Sequence, residues 1–308
     1  MSKNKKAETA GLHWWVVSLS EDVSADKPLG VICDGRDYVL FRDAGGAVRA
    51  LLDQCAHRRA PLSLGRITAQ GWIECPYHGW RYSGESGSCV NIPNLSAEEK
   101  VPGYGVDAFA VEERDGFIQL GTEGLHSDRT QLADFSLAQK SAQWHASHLI
   151  AYPHDALVDL LLDAPGAVLQ IPGATILNNH RYGEPIVSPT TIEVTHAVAW
   201  TPRGKMPKQA QADFPLALRL MVEKAGHSAR VELSDDTGAV LIAVAIGLSP
   251  VKRNLTAALW RATGEPYRER ILELGVRAHL DALEIKHAYV YPSLLRRDSA
   301  AEQLIAIA

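Results

Sequence analysis

The stretch CAHRRAPLSLGRITAQGWIECPYHGW, residues 55–80, carries two cysteine–histidine pairs. Cys55-Ala56-His57 reads C-x-H, and seventeen residues further on Cys75-Pro76-Tyr77-His78 reads C-x-x-H. Two thiolates and two imidazoles can hold zinc tetrahedrally. They can equally hold a [2Fe-2S] centre, with both sulfurs on one iron and both nitrogens on the other. Zinc fingers pair like ligands, whereas here each arm brings one Cys and one His. Each arm can therefore touch both irons, as two hairpin loops clamping a cluster from opposite sides would do.

The sequence around this stretch, residues 12–122, reads as short strands between tight turns. WWVV, LGVIC, YVLFR and VRALLD are β-type runs broken by DG, GG and polar turns. FAVEERDGFIQL has a turn between two apolar pieces and predicts a closing hairpin. GTEGLHSD, 121–128, is a polar break, so the expected domains are residues 1–121 and 122–308. A chain of 308 residues has room for two cores. In the second domain HDALVDLLLDAP has apolar residues at helical offsets and stops at Pro-Gly. TILNNHRYG, TTIEVTHAVAWTP, SARVELSDD and AVLIAVAIGL predict a largely antiparallel sheet. YRERILELGVRAHLDALEIKHAYVY predicts a closing helix, straight or broken near Gly275, and 202–215 a mobile loop. The expected fold is all-β followed by α+β.

A formal charge of -5 offers no broad positive surface for a phosphate backbone, which argues against nucleic acid. Four cysteines and no leading apolar stretch predict a reducing, cytoplasmic setting. No apolar run approaches the roughly 20 residues of a membrane span. Cys33, in a strand-like run, is read as core packing. Cys89 is close enough in sequence to approach the centre, and a disulfide between the two has no support in that setting.

HRRAPLSLG after the first pair and CPYHGWRYSGESGSCVNIPN from the second resemble the cluster domain of Rieske non-haem iron oxygenases, large-subunit type. Pro76, Gly79 and Trp80 lie where that family keeps the cluster turn tight and covered, and Gly84 and Gly87 fit the turn that follows. The resemblance implies a Rieske [2Fe-2S] cluster on Cys55, His57, Cys75 and His78, then a helix-grip-like α+β domain. It also implies a mononuclear iron on two histidines and one carboxylate. Aligned on the family's helix, VDLLLDAPGAVLQIPG puts Asp163 at the aspartate that bridges electrons between subunits. The histidine positions then fall on Gly166 and Ile171, neither a ligand, and Asp281 loosely matches the carboxylate.

These positions imply an electron-transferring component without its own mononuclear iron, assembled as a homo- or hetero-trimer or hexamer with a catalytic homologue. The alternatives are an active Rieske monooxygenase or demethylase using other iron ligands, and a non-oxygenase redox or ligand-binding protein. His145, His148, His154, Asp155 and His180 are the candidate substitutes upstream and downstream of the helix, while His279 and His287 stand too far apart for one ion. Electrons would come from NAD(P)H through a separate ferredoxin or flavin reductase, since no G-x-G-x-x-G nucleotide fingerprint occurs. The substrate would be small and apolar or aromatic, with Ile171, Ile176, Leu177, Leu241 and Ile242 as candidate cavity walls.

Overall fold

The computed structural model describes residues 14–96, 99, 101–127, 133–137, 144–200, 216–224, 228–264 and 272–276. It divides into two compact units, Met1–Phe135 with Gly247–Arg253, and Ser136–Ile246 with Asn254–Ala308. The predicted loop 202–215 and the closing helix beyond 276, with Asp281, His279 and His287, lie outside the described residues.

Among the described residues the first unit holds the short strands β1 (Trp14–Leu19), β2 (Leu29–Cys33), β3 (Arg36–Arg42), β4 (Val48–Leu52), β5 (Arg66–Ile67), β6 (Ile73–Glu74), β7 (Arg81–Tyr82), β8 (Cys89–Asn91), β9 (Ala108–Arg114) and β10 (Phe117–Gly121), together with the end of a later strand. An antiparallel sheet runs β1-β10-β9-β4-β3-β2, and a second runs β5-β6-β7-β8. Asp34-Gly35 and Asp115-Gly116, all at positive φ, make the two-residue turns of the β2–β3 and β9–β10 hairpins.

Strand β3 explains the unbroken apolar run Tyr38-Val39-Leu40-Phe41. Side chains alternate across a strand, and here both faces are buried. Tyr38 and Leu40 enter one core layer with Val17, Cys33, Ala50 and Ile118. Val39 and Phe41 enter the other, with Leu51, Leu62, Ile73, Tyr82 and the thiols of Cys55, Cys75 and Cys89. The second layer is thus the floor beneath the Cys-His loops. Cys33 and Cys89 are both reduced and belong to different layers.

In the second unit β11 (Trp144–Ile150) leads into α1 (His154–Asp163), which is followed by β12 (Leu169–Gln170), β13 (Ala174–Arg181), β14 (Ile186–Val187), β15 (Thr191–Trp200), β16 (Leu216–Glu223), β17 (Ser228–Asp235), β18 (Val240–Lys252), β19 (Leu255–Gly264) and β20 (Glu273–Leu274). The sheet order is β11-β19-β18-β17-β16-β15-β13, with β14 also on β15. Helix α1 buries Leu157, Val158, Leu161 and Leu162, the stripe that its sequence period predicts. It ends at Ala164, whose φ of -143° and ψ of 64° leave the helical region, as the residue before Pro165 must. Among the described residues no helix is long and apolar enough to cross a membrane.

Two expectations change. The periodic segment read as a helix from Tyr267 holds a strand at Glu273–Leu274, where Leu274 pairs with Leu169 and Gly275 donates to the Val168 carbonyl at 3.1 Å. Its apolar residues satisfy a short buried strand as well as a helix. His145 and His148 lie on a strand, so residues three apart face opposite sides and cannot share an ion.

Gly87 illustrates how tightly the β7–β8 turn is packed. Its φ is +72°, and a Cβ there would collide with the Val106 carbonyl oxygen. Gly35 has the same φ of +72° with open space around it. Gly35→Ala is expected to cost about 1–2 kcal/mol, and Gly87→Ala at least about 3. Urea unfolding of the two variants measures the difference, and equal losses would remove the packing role of the turn.

Candidate metal centre

The two arms share one backbone design. In the first, the Cys55 N–H donates to the Ala60 carbonyl at 2.9 Å, and the Arg59 N–H donates to the Cys55 carbonyl at 2.8 Å. In the second, the Cys75 N–H donates to the Trp80 carbonyl at 2.8 Å, and the Gly79 N–H to the Cys75 carbonyl at 3.1 Å. The residue four beyond each cysteine is left-handed, Arg59 at φ +58° and Gly79 at +70°. Two unlike spacings, C-x-H and C-x-x-H, thus close on the same ring of hydrogen bonds. The ring turns each thiol inward and lets each histidine stand outside.

Cys55 and Cys75 are 2% and 3% exposed. His57 and His78 are exposed, with ring centroids 4.6 Å apart. The thiols interact directly with each other. Trp80 lies flat on the His57 ring, 4.7 Å away at 7°, and Tyr77 tilts against His78 at 3.9 Å. Sulfur below and nitrogen above is the donor order that a Rieske cluster needs, so these residues fit that group.

The surroundings also suit a charged sulfur pair. Burial pushes the Cys75 thiol up, while the N–H groups of Tyr77 and His78 act in the opposite direction. Tyr82 stands 3.1 Å from Cys55 Sγ, and its oxygen accepts from the Ala56 N–H at 3.2 Å. Burial and then Cys55 push the Tyr82 phenol up, so a protonated phenol stands where it would donate to the sulfur of a bound cluster. Desolvation, then His78 and Arg58, hold His57 down and favour the neutral ring that ligates.

Behind the second arm stands an ion triad. Glu74, next to Cys75, bonds Arg81 Nε at 2.7 Å and also pairs with Arg66. Burial raises the Glu74 carboxyl, but the bonds from Arg81 and Arg66 outweigh it and hold it below the usual carboxylate range. The triad joins β5, β6 and β7 at the base of the loop. The sequence reading missed Tyr82 and the triad alike. Their partners are set by strand register, which leaves no local spacing to read.

The second unit is different. Asp163, the last residue of α1, accepts from Arg181 Nη2 at 3.2 Å. At Gly166 a Cβ would meet Asn178 Oδ1 at 2.9 Å and the Ile176 carbonyl at 3.0 Å, and the Gly166 N–H already donates to that Oδ1. Ile171 is buried core. The residues at these positions do not fit a mononuclear iron. His154 and Asp155 pair at 2.9 Å on the first turn of α1, and His180 is exposed rather than turned into the interior. Among the described residues no three His, Cys, Asp or Glu gather as ligands of one ion. His196, which the sequence reading passed over, is fully buried on β15 opposite Arg181. Its burial, aided by the Arg181 charge, lowers its pKa to about 4, so the ring is neutral.

The fold and the first-unit site define an iron–sulfur domain, and the profile of the Rieske [2Fe-2S] domain matches residues 13–109. Chlorophyllide a oxygenase of Chlamydomonas reinhardtii is 34% identical over 153 residues, which are 49% of this chain and 23% of that protein. The oxygenase component of dicamba O-demethylase from Stenotrophomonas maltophilia is 42% identical over 107 residues, 35% of this chain and 30% of that one. The chain therefore matches these curated relatives over less than a third of their length. Dicamba monooxygenase bound to dicamba superposes with a TM-score of 0.62 at 25% identity, over 82% of this chain and 75% of that one. Pseudomonas putida CBB5 NdmB shares the fold with a TM-score of 0.59, over 96% of this chain and 87% of that one, at 18% identity.

This chain is a Rieske-domain protein homologous to the Rieske non-haem iron oxygenases. The expectation of an electron-relay subunit that needs a catalytic homologue is overturned. Dicamba monooxygenase aligns over 82% of the chain, far beyond the Rieske domain, so the second unit corresponds to part of a monooxygenase chain. Gly166 and Ile171 lie beyond the end of α1 and bear on those two positions only, not on the whole domain.

Tyr82→Phe removes one donor to Cys55 sulfur and leaves the ring in place. Such a bond favours the more negative reduced centre, so its loss is expected to lower the reduction potential by about 20–65 mV, from roughly 0.5–1.5 kcal/mol for one electron. Protein-film voltammetry measures it. An unchanged potential would mean that the phenol does not donate to sulfur.

Proposed function

We propose that this chain is itself the oxygenase: a Rieske monooxygenase or demethylase whose mononuclear iron is held by ligands other than the two helix positions of the family. The observation that carries this reading is the likeness of both units to dicamba monooxygenase, over 82% of the chain. On this reading Gly166 and Ile171 are simply not the positions that hold the iron. Asp281 lies outside the described residues.

Cys55, His57, Cys75 and His78 hold the [2Fe-2S] cluster, which when bound stores one electron at a potential raised by its imidazole ligands. The protein's own part is to shape access to that store. Its thiols are sealed in the core layer, so electrons pass at the exposed edges of His57 and His78. Trp80 fixes the His57 ring by stacking, and Tyr82 steadies Cys55. Arg58 and Arg66 are exposed near the same loops and give an acidic donor protein a favourable approach. A ferredoxin or flavin reductase using NAD(P)H suits this surface. Overall, dioxygen, two electrons and two protons from solvent put one oxygen atom on a small apolar or aromatic substrate and release the other as water. A reducing, cytoplasmic compartment suits free thiols.

Anaerobically purified protein is expected to carry three irons per chain, and to consume oxygen with a reductase, NAD(P)H and a demethylatable aromatic such as a methoxybenzoate. Two irons per chain, with no substrate-dependent oxygen uptake across a panel of methoxy and methylamino aromatics, would sink the reading.

A further inference from the structure

The end of α1 is a closed electrostatic unit. Asp163 and Arg181 are paired at 3.2 Å with side chains only 30% and 16% exposed. His196 faces Arg181 across the β13–β15 register and is fully buried. Its ring lies near the carbonyls of Leu162 and Leu177, though neither nitrogen makes a hydrogen bond of full geometry. Asn178, three residues before Arg181 on β13, occupies the N–H of Gly166, and the Ile176 carbonyl stands 3.0 Å from where a side chain at 166 would start.

A guanidinium is permanently charged and planar, and it suits a carboxylate well. A divalent ion on the same carboxylate would place three positive charges against one negative in a half-buried site. The two cations are therefore alternatives. We propose that Arg181 is the fixed counter-charge of Asp163 and keeps a divalent ion off that carboxylate, so that any iron bound by the second unit is held without Asp163, Gly166 or Ile171. Only the expectation that iron is used at all comes from the oxygenase reading; the pairing is read from residues 163–196.

Mn(II) added to the holoprotein, with free Mn(II) followed by EPR, tests the pairing apart from turnover. The Mn(II) dissociation constant is expected to agree within about twofold between the unaltered protein and Asp163→Asn. Arg181→Gln, which leaves Asp163 and His196 without the guanidinium, is expected to gain an Mn(II) site, and Arg181→Lys is not. Weakening of ten-fold or more in Asp163→Asn overturns the proposal, as does an Arg181→Gln protein that folds, judged by its cluster spectrum, and gains no site. If Arg181→Gln does not fold, Asp163→Asn decides alone. Failure of the oxygenase reading shows separately, as missing turnover in the unaltered protein.

Discussion

Everything in the first unit answers to one constraint: two sulfurs must be out of water while two imidazoles stay in it. A buried thiolate is costly unless donors and a cation face it. The loops meet this need with the Tyr82 hydroxyl and the N–H groups of Tyr77 and His78, and the cluster supplies the positive charge. Without that charge, burial keeps the Cys75 thiol protonated. Folding of the loops and loading of the metal are therefore linked. The identical hydrogen-bonded rings around Cys55 and Cys75 show why the unlike spacings do not matter: histidine can leave the ring two or three residues after the cysteine, since both positions lie on its outer side.

The double-sided strand β3 extends that constraint into the fold. Val39 and Phe41 belong to the layer holding the thiols while Tyr38 and Leu40 belong to the other, so one strand ties the floor of the centre to the main core of the unit. Glu74 plays the same part from the edge, with Arg66 and Arg81 holding three two-residue strands that have few ladder hydrogen bonds of their own.

What the sequence made legible was local. The ligand pairs, the Asp-Gly turns, the apolar run of β3 and the stripe of α1 all lie within a few residues of one another, so spacing alone reveals them. Tyr82 against Cys55 and Glu74 between two arginines are products of register, 27 and 7 residues apart, and no periodicity announces them. The segment around Leu274 failed for the opposite reason, since its short apolar pattern serves strand and helix equally. In the second unit, Gly166 was legible as a missing ligand. Its consequence was not, because Asn178 and Arg181 come from another strand.

The Asp163–Arg181 pair is a poor device for stability. Burial raises the Asp163 carboxyl, while the Arg181 charge and hydrogen bond pull it down. Pairs of this kind can often be exchanged for packed apolar side chains with no loss of stability. Removing one partner is another matter, since it strands a charge. Asp163 therefore requires a cation wherever it is kept, and Arg181 is the cation that β13 brings within 3.2 Å of it. A side chain at 166 is crowded from two sides, since its Cβ would begin 2.9 Å from Asn178 Oδ1 and 3.0 Å from the Ile176 carbonyl. The carboxylate and the closed glycine position are thus parts of one arrangement, in which a protein cation does the electrostatic work at the end of α1 and the chemistry of a metal is left to other residues.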